Sequence, residues 1–274
     1  MIDASGVLVV SLGDLALDVV VRLRQPLARG ADAASRITVQ AGGQAANVAA
    51  WVAVLGASSC WLGKRGDDDA GRLAAARLER LGVELRGPVA PEGSGVIVSL
   101  VDPDGERSMC PDRGVAIDLR PDELDPAWLV CDHLHVSAYT LFASPAREAA
   151  VRAVELARTA GARVSVDLAS WSEIRDLGPD ACRRLVQGLA PDVVFANEDE
   201  HRAIGGAWPG PAWILKRGER GCSFDGDERP ALPVEAVVDT TGAGDALAAG
   251  WIVGGPDAAL RTAARCVQRA GSMP

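Results

Sequence analysis

The residues best equipped for chemistry sit near the end of the 274-residue chain, in Asp239–Thr240–Thr241–Gly242–Ala243–Gly244–Asp245. A short apolar segment, Val237–Val238, leads in, and the small apolar run Ala246–Val253 follows, so the spacing predicts a strand end, a glycine turn and a helix start. A helix N-terminus presents unpaired backbone N–H groups and a partial positive charge. Gly242, Ala243 and Gly244 carry almost no side chain, so an anion could lie directly against those amides. Asp245, in the first turn, would repel a bound phosphate unless it had a task there. Accepting a proton from a hydroxyl while the amides stabilise a phosphoryl group in flight is such a task. On the local residues alone, a structural glycine turn with Asp245 as a cap is an equal alternative.

Two further constellations accompany it. Gly42–Gly43 with Asn47 places small residues at a strand-to-helix junction, open to close backbone approach. Asn47 offers a donor and an acceptor for paired hydroxyls, or serves as a buried structural amide. Asp14 and Asp18 follow the first strand; a carboxylate pairs well with vicinal hydroxyls, and Asp14 could equally cap a turn. Asn197–Glu198–Asp199–Glu200 follows an apolar run and reads locally as a capping box.

Asp239–Asp245 resembles the C-terminal signature of the ribokinase-like (PfkB) carbohydrate kinases, and Gly42–Ala49 resembles their N-terminal signature, in the expected order. The resemblance covers nearly the whole chain. It implies an ATP-dependent kinase acting on an alcohol group of a sugar, with a nucleoside kinase of the same machinery as the alternative and a non-catalytic ligand-binding relative behind it. By resemblance, Asp245 is the general base and Gly242–Gly244 the anion hole. Asp14, Asp18, Gly42, Gly43, Asn47 and Arg113 bind the acceptor. Asp167, Asn197, Lys216, Gly218, Gly221 and Thr241 line the nucleotide side, although Lys216–Gly221 alone could be a plain hairpin turn. Glu200 and Asn197 act on Mg²⁺, largely through water. Asp239 and Thr241 help shape a monovalent-cation site, such as one for K⁺, in some relatives. Relatives also continue somewhat further, which implies an adenine side trimmed or built differently here. Arg107 is expected to pair with surface acids, a contact with a phosphate on the acceptor being the alternative, and no catalytic role is expected for His133, His135 or His201.

The rest of the sequence must position these groups. Short β-branched or aromatic runs at Val7–Val10, His133–Val136, Val164–Val166, Val193–Phe195 and Trp213–Leu215 alternate with helical patterns. That rhythm predicts an α/β fold, a doubly wound, mostly parallel sheet with helices on both faces. Ser144 as cap, Pro145 at the first helical position and Gly161 as terminator frame one helix, whose buried face is Ala150, Ala153, Val154 and Ala157. Asp67–Gly82 frames another, and Ala243–Val253 and Asp257–Ala270 flank a Gly254–Gly255–Pro256 break. Asp18–Leu23, Arg36–Gln40, Gly95–Val101 and Glu106–Cys110 depart from the rhythm. They predict a small accessory sheet or extra edge strands on the main sheet; the resemblance implies a small discontinuous β lid, from about 16–40 and 94–113, on a single domain of residues 1–274. An apolar outer face on that lid could pair two copies in a homodimer.

Composition sets outer limits. The chain is 48% hydrophobic and 24% charged, with a formal net charge of -9, and its basic residues are dispersed. No nucleic-acid partner is expected. Six cysteines without C-x-x-C spacing read as buried, reduced thiols. The N-terminus shows no leader pattern and no run reaches membrane-spanning length, so the cytoplasm and no membrane partner are the expectations.

Overall fold

A computed structural model describes residues 6–274, so the first five residues, on which the leader reading partly rests, lie outside it. The elements run β1 (Leu8–Leu12), β2 (Ala16–Leu23), β3 (Ser35–Gly42), α1 (Gln44–Val54), β4 (Ser58–Leu62), β5 (Arg65–Gly66), α2 (Asp69–Arg80), β6 (Glu84–Arg86), β7 (Val89–Ala90), β8 (Gly95–Val101) and β9 (Arg107–Asp112). After three short 3-10 turns come β10 (His133–Ser137), α3 (Ala146–Thr159), β11 (Arg163–Asp167), α4 (Trp171–Leu177), α5 (Pro179–Gly188), β12 (Val193–Asn197), α6 (Glu198–Ala203), β13 (Ala212–Lys216), β14 (Cys222–Phe224), β15 (Asp227–Arg229) and α7 (Ala243–Val267).

The main sheet has nine strands in the order β15-β14-β13-β12-β11-β10-β1-β4-β6. Every pairing from β13 to β6 is parallel, and the β14–β15 edge is antiparallel. Strands covered on both faces need apolar residues on both, and β1 shows this directly. Val10 and Leu12 join the core beneath α3, α4 and α5, while Val9 faces the core formed by α1 and α7. The sheet is therefore doubly wound, as the strand–helix rhythm predicts. Strands β4 and β6 and helices α4 and α5 are additional to the elements read from the sequence; β4 (Ser58–Leu62) opens with two serines and so lacks the apolar signature.

Four strands form a separate small sheet, β3-β2-β8-β9. Its β2–β8 pair is parallel and its β2–β3 and β8–β9 pairs antiparallel. These are lid strands and not extra edges of the main sheet. Side chains alternate across it, so Asp18, Arg22 and Arg107 share one face, and Val19, Val21, Ile37, Val39, Val98 and Leu100 share the other.

Several local readings shift. Pro145 is the N-cap of α3 and Ala146 its first residue; the Ser144 hydroxyl donates to Glu148 at 2.8 Å instead of capping the backbone. The predicted helix face Ala150, Ala153, Val154 and Ala157 is buried. Helix α7 changes direction at Gly254 and Gly255, which leave helical φ/ψ, and ends at Val267, earlier than the expected Ala270. All six cysteines are free; Cys60, Cys182, Cys222 and Cys266 are buried, but Cys110 is exposed on the lid edge, where no second layer covers β9. Among the described residues, no helix is long and apolar enough to cross a membrane.

Phe195 on β12 has no exposed surface and packs edge-on against both His135 and Trp251. Phe195→Ala is expected to cost about 3–5 kcal/mol of unfolding free energy in urea denaturation, as a cavity that this close-packed layer cannot refill. A loss under about 1 kcal/mol would show that the helix layer collapses freely onto the sheet.

Candidate active site

The C-terminal ends of the parallel strands and the start of α7 converge on one cleft, as the topology of open α/β sheets dictates. Gly242 is the N-cap of α7 in the left-handed conformation (φ 76), and an added Cβ would lie 2.6 Å from Ser272. Glycine is therefore required twice over, by conformation and by space. The first intrahelical bond is Ala246 N–H to the Gly242 carbonyl at 2.9 Å, so Gly244 and Asp245 precede the helical ladder. Ala243, expected among the free amides, donates to the Thr240 carbonyl at 3.2 Å and closes the turn.

Asp245 is half-buried beside this turn. Its Oδ2 accepts from Asn47 Nδ2 at 2.7 Å, and Asn47 Oδ1 in turn accepts from the Ser272 hydroxyl at 2.9 Å. Two motifs 198 residues apart thus meet in one hydrogen bond. Burial, then the negative charge of Asp167, raises the Asp245 carboxyl to about 7, against the Asn47 bond and the Lys216 charge. Lys216, at the end of β13, bonds both Asp167 oxygens at 2.7 and 3.0 Å. Burial alone would lower the Lys216 ammonium, but Asp167 and Glu200 outweigh it and the net direction is up. Asp167 has no exposed surface, so it meets the cleft through Lys216.

Asn197 and Glu200 form the capping box of α6. The Asn197 side chain accepts from the Glu200 amide at 2.8 Å, and the Glu200 carboxylate accepts from the Asn197 amide at 2.8 Å and from its Nδ2 at 2.7 Å. Burial raises the Glu200 carboxyl, with Asp167 adding to the effect and Lys216 opposing it. Both oxygens already have donors yet keep lone pairs, which suits holding a metal's water better than binding the metal directly. Among the described residues, no cluster of three or more acids, histidines or cysteines is placed to hold a metal by itself.

On the other side of Asp245 lie the residues expected for the acceptor. Gly43 is the N-cap of α1 with φ 100, and a Cβ there would come 2.4 Å from the Asp14 carbonyl oxygen. Gly42 has ordinary φ but no room, since a Cβ would fall 2.1 Å from Asp18 Oδ2. The Asp18 carboxylate therefore rests on a bare Cα. Its Oδ1 is buried without a donor, and burial raises the group to about 6 against the charge of Arg107. Asp14 grips Arg113 bidentately, at 2.6 Å to Nε and 2.8 Å to Nη2, and the guanidinium lies 5.5 Å from the Tyr139 ring centre.

Asp239 and Thr241 have a different setting. Asp239 Oδ1 accepts from Arg107 Nη2 at 3.0 Å, the Thr241 amide at 3.0 Å and the Thr241 hydroxyl at 2.6 Å. Its Oδ2 accepts from Arg22 at 3.3 Å and the Gly271 amide at 3.2 Å. Burial would raise this carboxyl, but these donors leave it at about 2. Arg107, which also contacts the Thr241 hydroxyl, thus pairs with an acid 8% exposed, not with a surface acid. Arg22 and Ser272 were not singled out in the sequence. Same-face spacing from Asp18 could have found Arg22; nothing local marks Ser272. His133 and His135 both bond the Ser165 hydroxyl inside the main sheet, at 2.8 and 2.9 Å.

A cavity of about 570 Å³ opens beside the turn, lined by Lys216, Gly218, Gly221, Ala243 and Gly244 at one end and by apolar side chains of α7 and residues 231–237 beyond. Gly221, at φ 96, has no room for a Cβ, which would lie 2.0 Å from the Arg229 carbonyl oxygen, so it shapes a tight turn as well as the cavity wall.

Residues 8–273 match the model of the pfkB family carbohydrate kinases. The chain belongs to the PfkB family. It is 34% identical over 260 residues to an ATP-dependent ribose-1-phosphate kinase of Halopiger xanaduensis, covering 89% of this chain and 83% of that protein. It is 33% identical over 267 residues to fructokinase-1 of Zea mays, covering 87% and 80%. Its fold matches an uncharacterised sugar kinase of Pyrococcus horikoshii, solved with ATP, at TM-score 0.83 and 21% identity over 97% of this chain and 95% of that one. As a PfkB-family member the protein is a sugar kinase with the ribokinase-like fold, in line with the sequence reading.

The raised Asp245 carboxyl makes a stability prediction. Its folded value of about 7 lies above the ordinary 3.8, so between those pH values the folded chain keeps a proton that the unfolded chain has lost. Folding is penalised increasingly as pH rises through that window, and constantly above it. Asp245→Asn is therefore expected to exceed the wild type in stability by on the order of 1–2 kcal/mol at pH 8, with the gain vanishing near pH 4, in chemical denaturation. A variant less stable than wild type at pH 8 would contradict the buried, charge-crowded setting.

Proposed function

We propose that the protein transfers the γ-phosphoryl group of ATP to an alcohol group of a sugar, with Asp245 as the general base. The observation that carries this is a half-buried carboxyl raised to about 7, adjoining a glycine-capped helix start and hydrogen-bonded to Asn47 of the other motif. Such a group is about half ionised at neutral pH and basic enough to take a hydroxyl proton. The unpartnered Asp18 Oδ1 is suited to accept from a second sugar hydroxyl. Asp14, Arg113, Asn47 and the backbone at Gly42–Gly43 orient the acceptor. The amides of Gly242, Gly244 and Asp245, with Lys216, receive the phosphates, while Gly218, Gly221 and Thr241 border the nucleotide and Asp167 holds Lys216 in place. Mg²⁺ arriving with the nucleotide supplies charge neutralisation, and Glu200 and Asn197 are the residues that would hold its waters. No alkali cation is assigned to Asp239, because both its oxygens are occupied by arginines, Thr241 and Gly271. A base-stacking nucleoside pocket has little support. Trp51 has no exposed surface and donates to the Ser272 carbonyl, and Tyr139 carries the Arg113 guanidinium.

Measurement of ADP release with ATP·Mg²⁺ across ribose, fructose, ribose 1-phosphate and adenosine tests the activity and ranks acceptors. Asp245→Asn is expected to lower kcat at least ~10²-fold with the fold retained, and wild-type kcat/KM is expected to fall about tenfold per pH unit below about 7. Unchanged turnover in the folded variant would remove Asp245 from the chemistry.

We also propose that the lid's outer face pairs two copies of the chain. Ile37 and Val39 are 58% and 55% exposed and continue, across the register, into Val19, Val21, Val98 and Leu100. Light scattering is expected to give a dimer mass that Val39→Lys reduces to a monomer; a monomeric wild type at micromolar concentration overturns the pairing.

A further inference from the structure

Gly271, Ser272, Met273 and Pro274 form a buried segment that touches α1, α2 and the cap of α7. Trp51 Nε1 on α1 donates to the Ser272 carbonyl at 2.9 Å, and Met273 packs into the core shared by α1 and α2. The bare Cα of Gly242 admits Ser272 at close range, since a Cβ on Gly242 would lie 2.6 Å from both Cα and Cβ of Ser272. Both motifs therefore hold this one serine in place. Ser272 is 1% exposed, and its hydroxyl donates to Asn47 Oδ1 at 2.9 Å. Asn47 is 6% exposed and donates through Nδ2 to Asp245 Oδ2 at 2.7 Å.

A primary amide has a donor at one end and an acceptor at the other, and a half-turn about its last bond exchanges them. With Nδ2 toward Asp245, Asn47 favours the ionised carboxylate. With Oδ1 toward Asp245, it would repel the carboxylate and favour the protonated acid, which can donate to it. The surroundings already lean toward the acid. Asp167 on β11 and Glu200 on α6 bring negative charge to Asp245, Lys216 on β13 opposes them, and the Cys266 thiol of α7 is also near. Asp245 alone does not dictate which end of the amide it meets. The Ser272 hydroxyl supplies the missing preference. Among the described residues it donates to one acceptor, Asn47 Oδ1. Reversal of the amide would leave that buried hydroxyl hydrogen without a partner, which is costly away from water.

We propose that Ser272 is a positioning residue for the general base: its hydroxyl sets the Asn47 amide so that a donor, and not an acceptor, meets Asp245. The proposal rests on the kinase reading for the role of Asp245 and adds the residue that keeps this carboxyl ready to take a proton.

The test is the pH profile of Ser272→Ala. The half-point of kcat/KM is expected to move up by about one pH unit, so that the variant is about tenfold slower than wild type at and below about pH 7. Near pH 9 the ionised carboxylate orients the amide by itself, and the two rates are expected to agree within about threefold. In an Asn47→Ala background, Ser272→Ala is expected to move the half-point no further. Met273→Ala, which loosens the same segment but keeps the hydroxyl, is expected to lower stability alike at every pH and to leave the half-point in place. Urea unfolding gives a readout without substrate. A folded value raised further above the unfolded one is penalised over a wider span of rising pH. Ser272→Ala is therefore expected to lose about a further tenfold in its folding equilibrium, relative to wild type, between about pH 6 and about pH 9. A rate defect equal at all pH values, an unmoved half-point, a further shift without Asn47, or an equal shift in Met273→Ala overturns the proposal and leaves the kinase reading intact. Absence of turnover with every acceptor overturns the kinase reading, and the urea series then still decides whether Ser272 governs Asp245.

Discussion

Lys216 places one positive charge among three carboxylates, those of Asp167, Glu200 and Asp245, all close enough to raise its ammonium against the opposing effect of burial. The arrangement sets the character of the cleft. Asp167 takes the ammonium directly, through both oxygens. Asp245 and Glu200 are left in surroundings crowded with negative charge, and their carboxyls rise. A carboxylate at a helix N-terminus would ordinarily be comfortable, since the terminus attracts negative charge. Here burial and the neighbouring acids oppose that preference, and the same opposition makes Asp245 a stronger base than an exposed aspartate.

The second constraint is mechanical. Arg22 on β2 and Arg107 on β9 lie on one row of the lid, since each faces Val101 of β8 in the register. Both reach the same carboxylate, Asp239, which is three residues from the glycine cap of α7. The small sheet and the phosphate turn are thus joined by a pair of charge-assisted bonds and not by packing alone. Asp18 lies on the same face of the small sheet.

How much of this could be read in the sequence follows from what each feature requires. Gly242 and Gly43 were legible as small residues at a helix start, where the positive φ they adopt favours glycine. The alternating apolar runs gave the doubly wound sheet because strands buried on both faces have few compositional options. Gly42 was legible only as a small residue; that it makes room for the Asp18 carboxylate depends on a strand pairing between β2 and β3. The contact of Arg22 with Asp239 spans 217 residues, and that of Ser272 with Asn47 spans 225. No local pattern encodes such pairs. The free amides of the turn were misjudged by one position at Ala243, because the Thr240 carbonyl, a backbone group invisible in the sequence, takes its hydrogen.

The ion pairs of the cleft carry one more consequence. Lys216 is neutralised by Asp167, Arg113 by Asp14, and Arg22 with Arg107 by Asp239. These four cations meet three carboxylates directly, Arg22 and Arg107 sharing one, and Glu200 and Asp245 add two more acids beside Lys216 in a chain whose formal charge is -9. A polyanion approaching this mouth therefore meets a surface whose long-range field is not attractive. In the proposed reading, the countercharge for a triphosphate has to travel in with the nucleotide itself. Capture is then governed by short-range contacts with the turn, in place of electrostatic steering from a distance.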